Sequence, residues 1–199
     1  MKKGVLFSIQ PKYVCDILNG KKTLELRKRK PNIPLPFKGY IYCTKKGRPV
    51  VYGSPCPGYI DDSYVQTYNI GKKDADKIFG NLQGKIIAEF TVNSIDEYEC
   101  EMWDNKTFES IGEIYYSDDG YNEREKNIIA TDGENCDLLT KSCVSWDELR
   151  DYLGQGFSIL HAIHIDNLKI CDNIENKALE LKDFGLKKAP QSWCYVEEL

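Results

Sequence analysis

The chain has 199 residues, 41% hydrophobic and 12% aromatic, with a net charge of −4. That composition supports one folded domain, or one domain with insertions, and excludes a wholly disordered chain. No apolar run reaches the ~18 residues of a membrane helix, and the opening "MKKGVLFSIQPKYV" lacks the cleavage site of a secretory leader, so a cytoplasmic protein without membrane association is expected.

"GVLFSI", residues 4–9, reads as a first strand. "PKYVCDILNG" follows as a short helix: Pro11 suits the first turn, Val14, Ile17 and Leu18 recur at helical spacing, and Gly20 suits the stop. "TLELRKR", residues 23–29, alternates as a strand, so Leu24 and Leu26 face one way and Glu25 and Arg27 the other. "KGYIYCTK", residues 38–45, is a third strand. Residues 46–83 read as an insertion, with a short helix over 72–80.

"GKIIAEFTVNSIDEYEC", residues 84–100, predicts one long central strand. The acidic stretch 101–144 reads as a second insertion, partly loop, with Tyr115, Tyr116 and Tyr121 suited to an interface. "SWDELRDYL" predicts a helix opened by a capping box of Ser145 and Glu148. "FSILHAIHIDNLKI", residues 157–170, predicts another strand, and Trp193–Glu197 the last. About six strands and two firm helices, with little βαβ alternation, point to an α+β fold built on a small, mostly antiparallel barrel.

Charge is unevenly placed. Residues 1–50 hold 13 Lys or Arg against two acids, and the rest of the chain holds 14 against 29. A basic segment on an acidic protein is one footprint of nucleic acid or another anion, and a solvated surface is the alternative. The densest part is "LNGKKTLELRKRKP", residues 18–31. There Lys22, Glu25 and Arg27 lie on a turn and one strand face. A carboxylate can order two cations, and a guanidinium can fork onto a phosphate or base edge. An exposed ion pair of little energetic worth is the plainer reading.

Other candidates are weaker. Ser8 and Lys12 straddle the first strand-to-helix turn, where a lysine opposes the helix dipole and an anion relieves the conflict. Tyr42 and Thr44 alternate on the third strand. "APQSW" offers Gln191 and Ser192 as hydrogen-bonding groups and Trp193 as a stacking surface or a core anchor. His161 and His164, three apart on a strand, point to opposite faces. The eight cysteines include no C-x2-C or C-x4-C pair, so reduced thiols are expected and no zinc site. Neither a G-x-S-x-G elbow nor a phosphate loop occurs, and no cofactor is expected.

The segments "LFSIQPKYVCDILNGKKTLELRKR", "GKIIAEFTVNSI", "LHAIHIDNLKI" and "LKDFGLKKAPQSWCYVEEL" resemble the ASCH domain family of the PUA-like superfamily, most closely its bacterial and phage-type members. "NGKKTLELRKR" and "APQSW" are the most specific parts, and the match covers about half the chain, near 1–45, 84–100 and 157–199. The resemblance implies a barrel with a helix beside it, and a cleft that takes RNA, single-stranded nucleic acid, a nucleotide or a modified base. Lys22, Glu25 and Arg27 would form one wall, and Gln191, Ser192 and Trp193 another. One branch of the superfamily hydrolyses an acylated nucleoside with a lysine, a threonine and a glutamate. Lys22 matches that lysine, but the threonine position, three residues on, is Glu25 here. A hydrolase acting on a modified nucleoside or RNA, using Lys22 and Glu25, is the second expectation. A protein partner held by the acidic insertion is the third.

Overall fold

The computed structural model describes residues 2–46, 82–102, 108–116, 124–131, 134–154, 156–171 and 179–199. The helix expected over 72–80 and Tyr121 lie outside them, as does most of the insertion at 46–83. The chain divides into two compact units. The first comprises Met1–Lys21, Ile33–Asn93 and Ile165–Leu199, and the second Lys22–Asn32 and Ser94–His164.

In the first unit, β1 (Lys3–Ile9) runs parallel to β3 (Phe37–Cys43) and antiparallel to β10 (Trp193–Glu197); β3 pairs β4 (Ile86–Val92), which pairs β9 (Asp166–Ile170). From Gly4 to Ile9, β1 is buried throughout, which is why "GVLFSI" reads as an unbroken apolar run rather than an alternating one. Helix α1 (Pro11–Leu18) follows with Pro at its first turn and buries Val14, Ile17 and Leu18. Gly20, at φ +70°, then takes the left-handed conformation that ends it. One core forms where Leu6, Tyr40, Tyr42, Ile86 and Val196 meet Leu181, Phe184 and Leu186 of the 3-10 turn Leu181–Phe184 and its flank. Gly39 faces Phe90 across β3 and β4, and a Cβ there would fall 2.4 Å from the Phe90 ring.

The second unit is an antiparallel sheet in the order β2 (Leu24–Arg27), β8 (Gly156–His164), β5 (Ile95–Met102), β6 (Phe108–Tyr116) and β7 (Arg124–Thr131). Two short helices, α2 (Asp137–Ser142) and α3 (Trp146–Leu153), supply Leu138, Leu139, Leu149 and Leu153 to a core with Leu24, Leu26, Tyr98, Cys100, Ile111, Leu160 and Ala162. The expected capping box is formed: Ser145 Oγ accepts from the Glu148 N–H at 3.2 Å, and the Glu148 carboxylate accepts from the Ser145 N–H at 3.0 Å.

The described chain is thus a mixed α+β structure with two five-stranded sheets, mostly antiparallel, and three α-helices. Among the described residues no helix is long and apolar enough to cross a membrane.

Among the described residues there are ten strands where about six were expected. The single strand read at 84–100 is two, β4 and β5, because Asn93 and Ser94 break the ladder. Asn93 Nδ2 donates to Asp166 at 2.9 Å, and the Ser94 carbonyl accepts from the His164 N–H at 3.2 Å. The run at 157–170 likewise divides, into β8 and β9. Asn167 adopts φ +48° just past that break, a conformation asparagine tolerates. The acidic stretch 101–144 contributes β6, β7 and α2.

Candidate functional site

The charged stretch after α1 is drawn into the second unit residue by residue. Leu24 and Leu26 enter the apolar core, which forces Glu25 and Arg27 onto the opposite face of β2. Lys22 Nζ lies 3.3 Å from Glu25 Oε2, and Arg27 NH2 lies 2.7 Å from Glu25 Oε1. Each carboxylate oxygen therefore holds a different cation. The side chains are only 2, 9 and 11% exposed for Lys22, Glu25 and Arg27. This is no solvated surface pair. Lys22 Nζ also donates to the Ser142 carbonyl at 2.6 Å, and the Thr23 N–H donates to the Lys141 carbonyl at 2.8 Å. Residues 22 and 23 thereby satisfy carbonyls at the end of α2 that have no partner within the helix.

Register carries the face across the sheet. Arg27 stands opposite His161 on β8, and His161 stands opposite Glu97 on β5. Lys30, just beyond β2, pairs with Glu97. His161 is buried, and its Nδ1 lies 3.6 Å from Glu97 Oε1. Burial, aided by the Lys30 charge and opposed by Glu97, holds the His161 ring below the usual imidazole pKa. His164 turns to the other face, as its spacing requires, with Nε2 2.6 Å from Asp96 Oδ2. The contributions of His161, Glu97 and Lys30 were not foreseen, because strand pairing at long sequence separation leaves no mark in one sequence.

The other sequence candidates belong to the first unit. Ser8 is buried; its Oγ donates to the Pro190 carbonyl at 2.7 Å and its N–H to the Ser192 carbonyl at 2.9 Å. Tyr42 lies opposite Ser8 across β1 and β3, so Ser8, Tyr42 and the 190–192 loop are brought together. Tyr42 packs in the core, where burial pushes its phenol pKa up. The Thr44 N–H donates to the Ile9 carbonyl at 2.9 Å. Its buried Oγ1 has no hydrogen-bond partner among the described residues. Trp193 is half-buried, its ring edge-on to Tyr195 at 5.4 Å. Gln191 is exposed, and so is Lys12, whose ammonium sits 5.1 Å from the Tyr13 ring. A depression of about 190 Å³ in this unit is lined by Lys2, Lys38, Glu89 and Lys169 among others and contains none of these candidates. Among the described residues no group of three or more His, Cys, Asp or Glu is placed to hold a metal.

No family model matches the chain, and no curated protein matches it in sequence. The fold, a mixed α+β arrangement of two sheets, has a counterpart among solved structures. The crystal structure of ASCH from Zymomonas mobilis superposes with a TM-score of 0.50, covering 98% of this chain and 88% of that one at 14% identity. Two mutant forms of the same protein give a TM-score of 0.49 at 14% identity, covering 99% and 98% of this chain and 90% and 91% of theirs. This chain carries an ASCH fold.

Proposed function

We propose that the chain is a nucleotide- or RNA-binding protein of PUA-like barrel architecture that acts in the cytoplasm and receives its ligand at the Lys22–Glu25–Arg27 face. One observation carries this reading: both oxygens of the Glu25 carboxylate are engaged, one by Lys22 and one by Arg27, in a cluster largely removed from water. Holding charged groups away from water is costly, and clusters of this kind concentrate at functional sites. Arg27 carries a planar guanidinium paired with Glu25, and the fork geometry of that group matches phosphate oxygens and base edges.

The hydrolase reading receives less support. A lysine acting in acid–base chemistry must give up and regain a proton. The Lys22 side chain is committed to structural contacts, donating to the Ser142 carbonyl and facing Glu25.

The test is an anisotropy titration with short single-stranded RNAs and nucleotides at about 50 and 200 mM salt, with each mixture checked for cleavage products. Binding that weakens with salt is the expected result. A panel without a single binder would overturn the reading, and turnover would return weight to the hydrolase.

A further inference from the structure

We propose that His161 is a ligand-binding residue of the Arg27 face, and that it and Arg27 together receive a phosphate monoester, with one proton taken up by the His161 ring. This rests on the reading of that face as an anion-binding site for nucleotides or RNA.

The geometry is that of two adjacent strands. Arg27 and His161 are direct partners across β2 and β8. Direct partners in an antiparallel pair have Cβ atoms about 4.5–5.5 Å apart on one face, so the Arg27 and His161 side chains leave the sheet side by side. His161 is buried, with its side chain 11% exposed. Its Nδ1 has no hydrogen-bond partner among the described residues. The 3.6 Å separation from Glu97 Oε1 is too long for a hydrogen bond, and that oxygen is engaged by Lys30. A buried ring nitrogen left unmatched is rare in a finished core, and such an atom beside an arginine points to a group that completes it.

The charged groups around the ring select the ligand. Glu25 and Arg27 lie on β2, Lys30 just past it, and Glu97 on β5. In the free protein, burial and Lys30 keep the ring neutral near pH 7. A phosphate monoester carries about −1.5 to −2 charges there, because its second pKa is about 6, whereas an internal diester carries one. The fuller charge offsets both the burial and the neighbouring cations, so the ring takes a proton from solvent and Nδ1–H donates to a phosphate oxygen. The class selected is therefore a terminal phosphate, whether on a free nucleotide or at the end of a strand.

Isothermal titration calorimetry of the full chain tests this with four probes: uridine, uridine 5′-monophosphate, its methyl ester and a 5′-phosphorylated dinucleotide. Runs near pH 7 in two buffers of different ionisation enthalpy count the protons taken up. The expected result is binding of the monoester at least about tenfold tighter than of its methyl ester, with close to one proton taken up, and loss of both features in His161→Gln. The phosphorylated dinucleotide separates a strand end, if it binds as well as the mononucleotide, from a free nucleotide, if it does not. Ring-proton NMR of the wild-type protein gives a second readout that needs no variant of His161. Of the two histidines, the one retained in His164→Gln should titrate at higher pH when the monoester is bound. Equal binding of monoester and methyl ester without proton uptake would overturn this inference and leave the nucleotide-binding reading standing. No binding of any probe would overturn both.

Discussion

Lys22 Nζ donates to the main-chain carbonyl of Ser142, 120 residues away in sequence, at 2.6 Å. Lys28 repeats the device on the neighbouring helix: its Nζ donates to the Leu153 carbonyl at 3.0 Å, and its N–H to Tyr152 Oη at 3.2 Å. The segment 22–28 thus caps the C-terminal ends of α2 and α3, where a cation also complements the helix dipole. The density of basic residues at 21–30 therefore has two causes, helix capping and the buried cluster around Glu25.

These two lysines should differ in worth. Lys22→Met removes one partner of a buried ion pair and leaves Glu25 and the Ser142 carbonyl under-satisfied, a loss expected at about 3–5 kcal/mol. Lys28→Ala removes an exposed cation at a helix end and should cost about 0.3–1 kcal/mol. Urea denaturation of both variants checks this, and equal losses would contradict the assigned burial.

At Gly39 the constraint is space. An alanine methyl would lie 2.4 Å from the Phe90 ring, so Gly39→Ala should destabilise by about 1–3 kcal/mol through overpacking. In a Phe90→Leu background the same change should cost measurably less, because the ring that blocks it is gone. Additive losses would contradict the contact.

Burial pushes the Cys15 thiol up to about 11 and the Cys43 thiol up to about 12. The thiolate is the reactive form, so alkylation of both should be slow near pH 8 in the folded protein and fast after denaturation. The stability linked to these neutral thiols is complete below the unfolded value of 9.0 and is lost as pH rises from there through the folded values. Rapid labelling of Cys43 without unfolding would show that it is not buried.

His161 behaves in the opposite sense. Its folded pKa lies below the usual 6.5, so as pH falls the unfolded chain takes the proton first. The stability this residue contributes is present above 6.5 and is lost as pH falls through the folded value. His161→Gln should therefore lose less stability than wild type between neutral and mildly acidic pH, read from paired denaturation curves. Parallel pH profiles would show that the ring is not held neutral.

Local signals made part of this legible in sequence. Pro11 with Gly20, Ser145 with Glu148, and the alternation of Leu24 and Leu26 against Glu25 and Arg27 each act within a few residues, and each is realised. The boundary at Asn93–Ser94 was hidden by apolar residues on both sides. The strands β6 and β7 were hidden by acidic, glycine-containing sequence that reads as loop. Pairing of β2 with β8 and of β8 with β5 joins residues more than 50 positions apart, so no local signal assigns His161 and Glu97 to the Arg27 face.

The most direct measurement is the affinity of Arg27→Lys for a short RNA or a nucleotide bound by wild type, beside Lys28→Ala as a control that touches only the helix end. Lysine keeps the charge but lacks the fork. If the Arg27 face binds the ligand, Arg27→Lys should lose at least about tenfold in affinity while its melting temperature stays near that of wild type, and Lys28→Ala should bind as wild type does. Unchanged affinity in a folded Arg27→Lys would place the ligand elsewhere and leave the buried cluster a purely structural role.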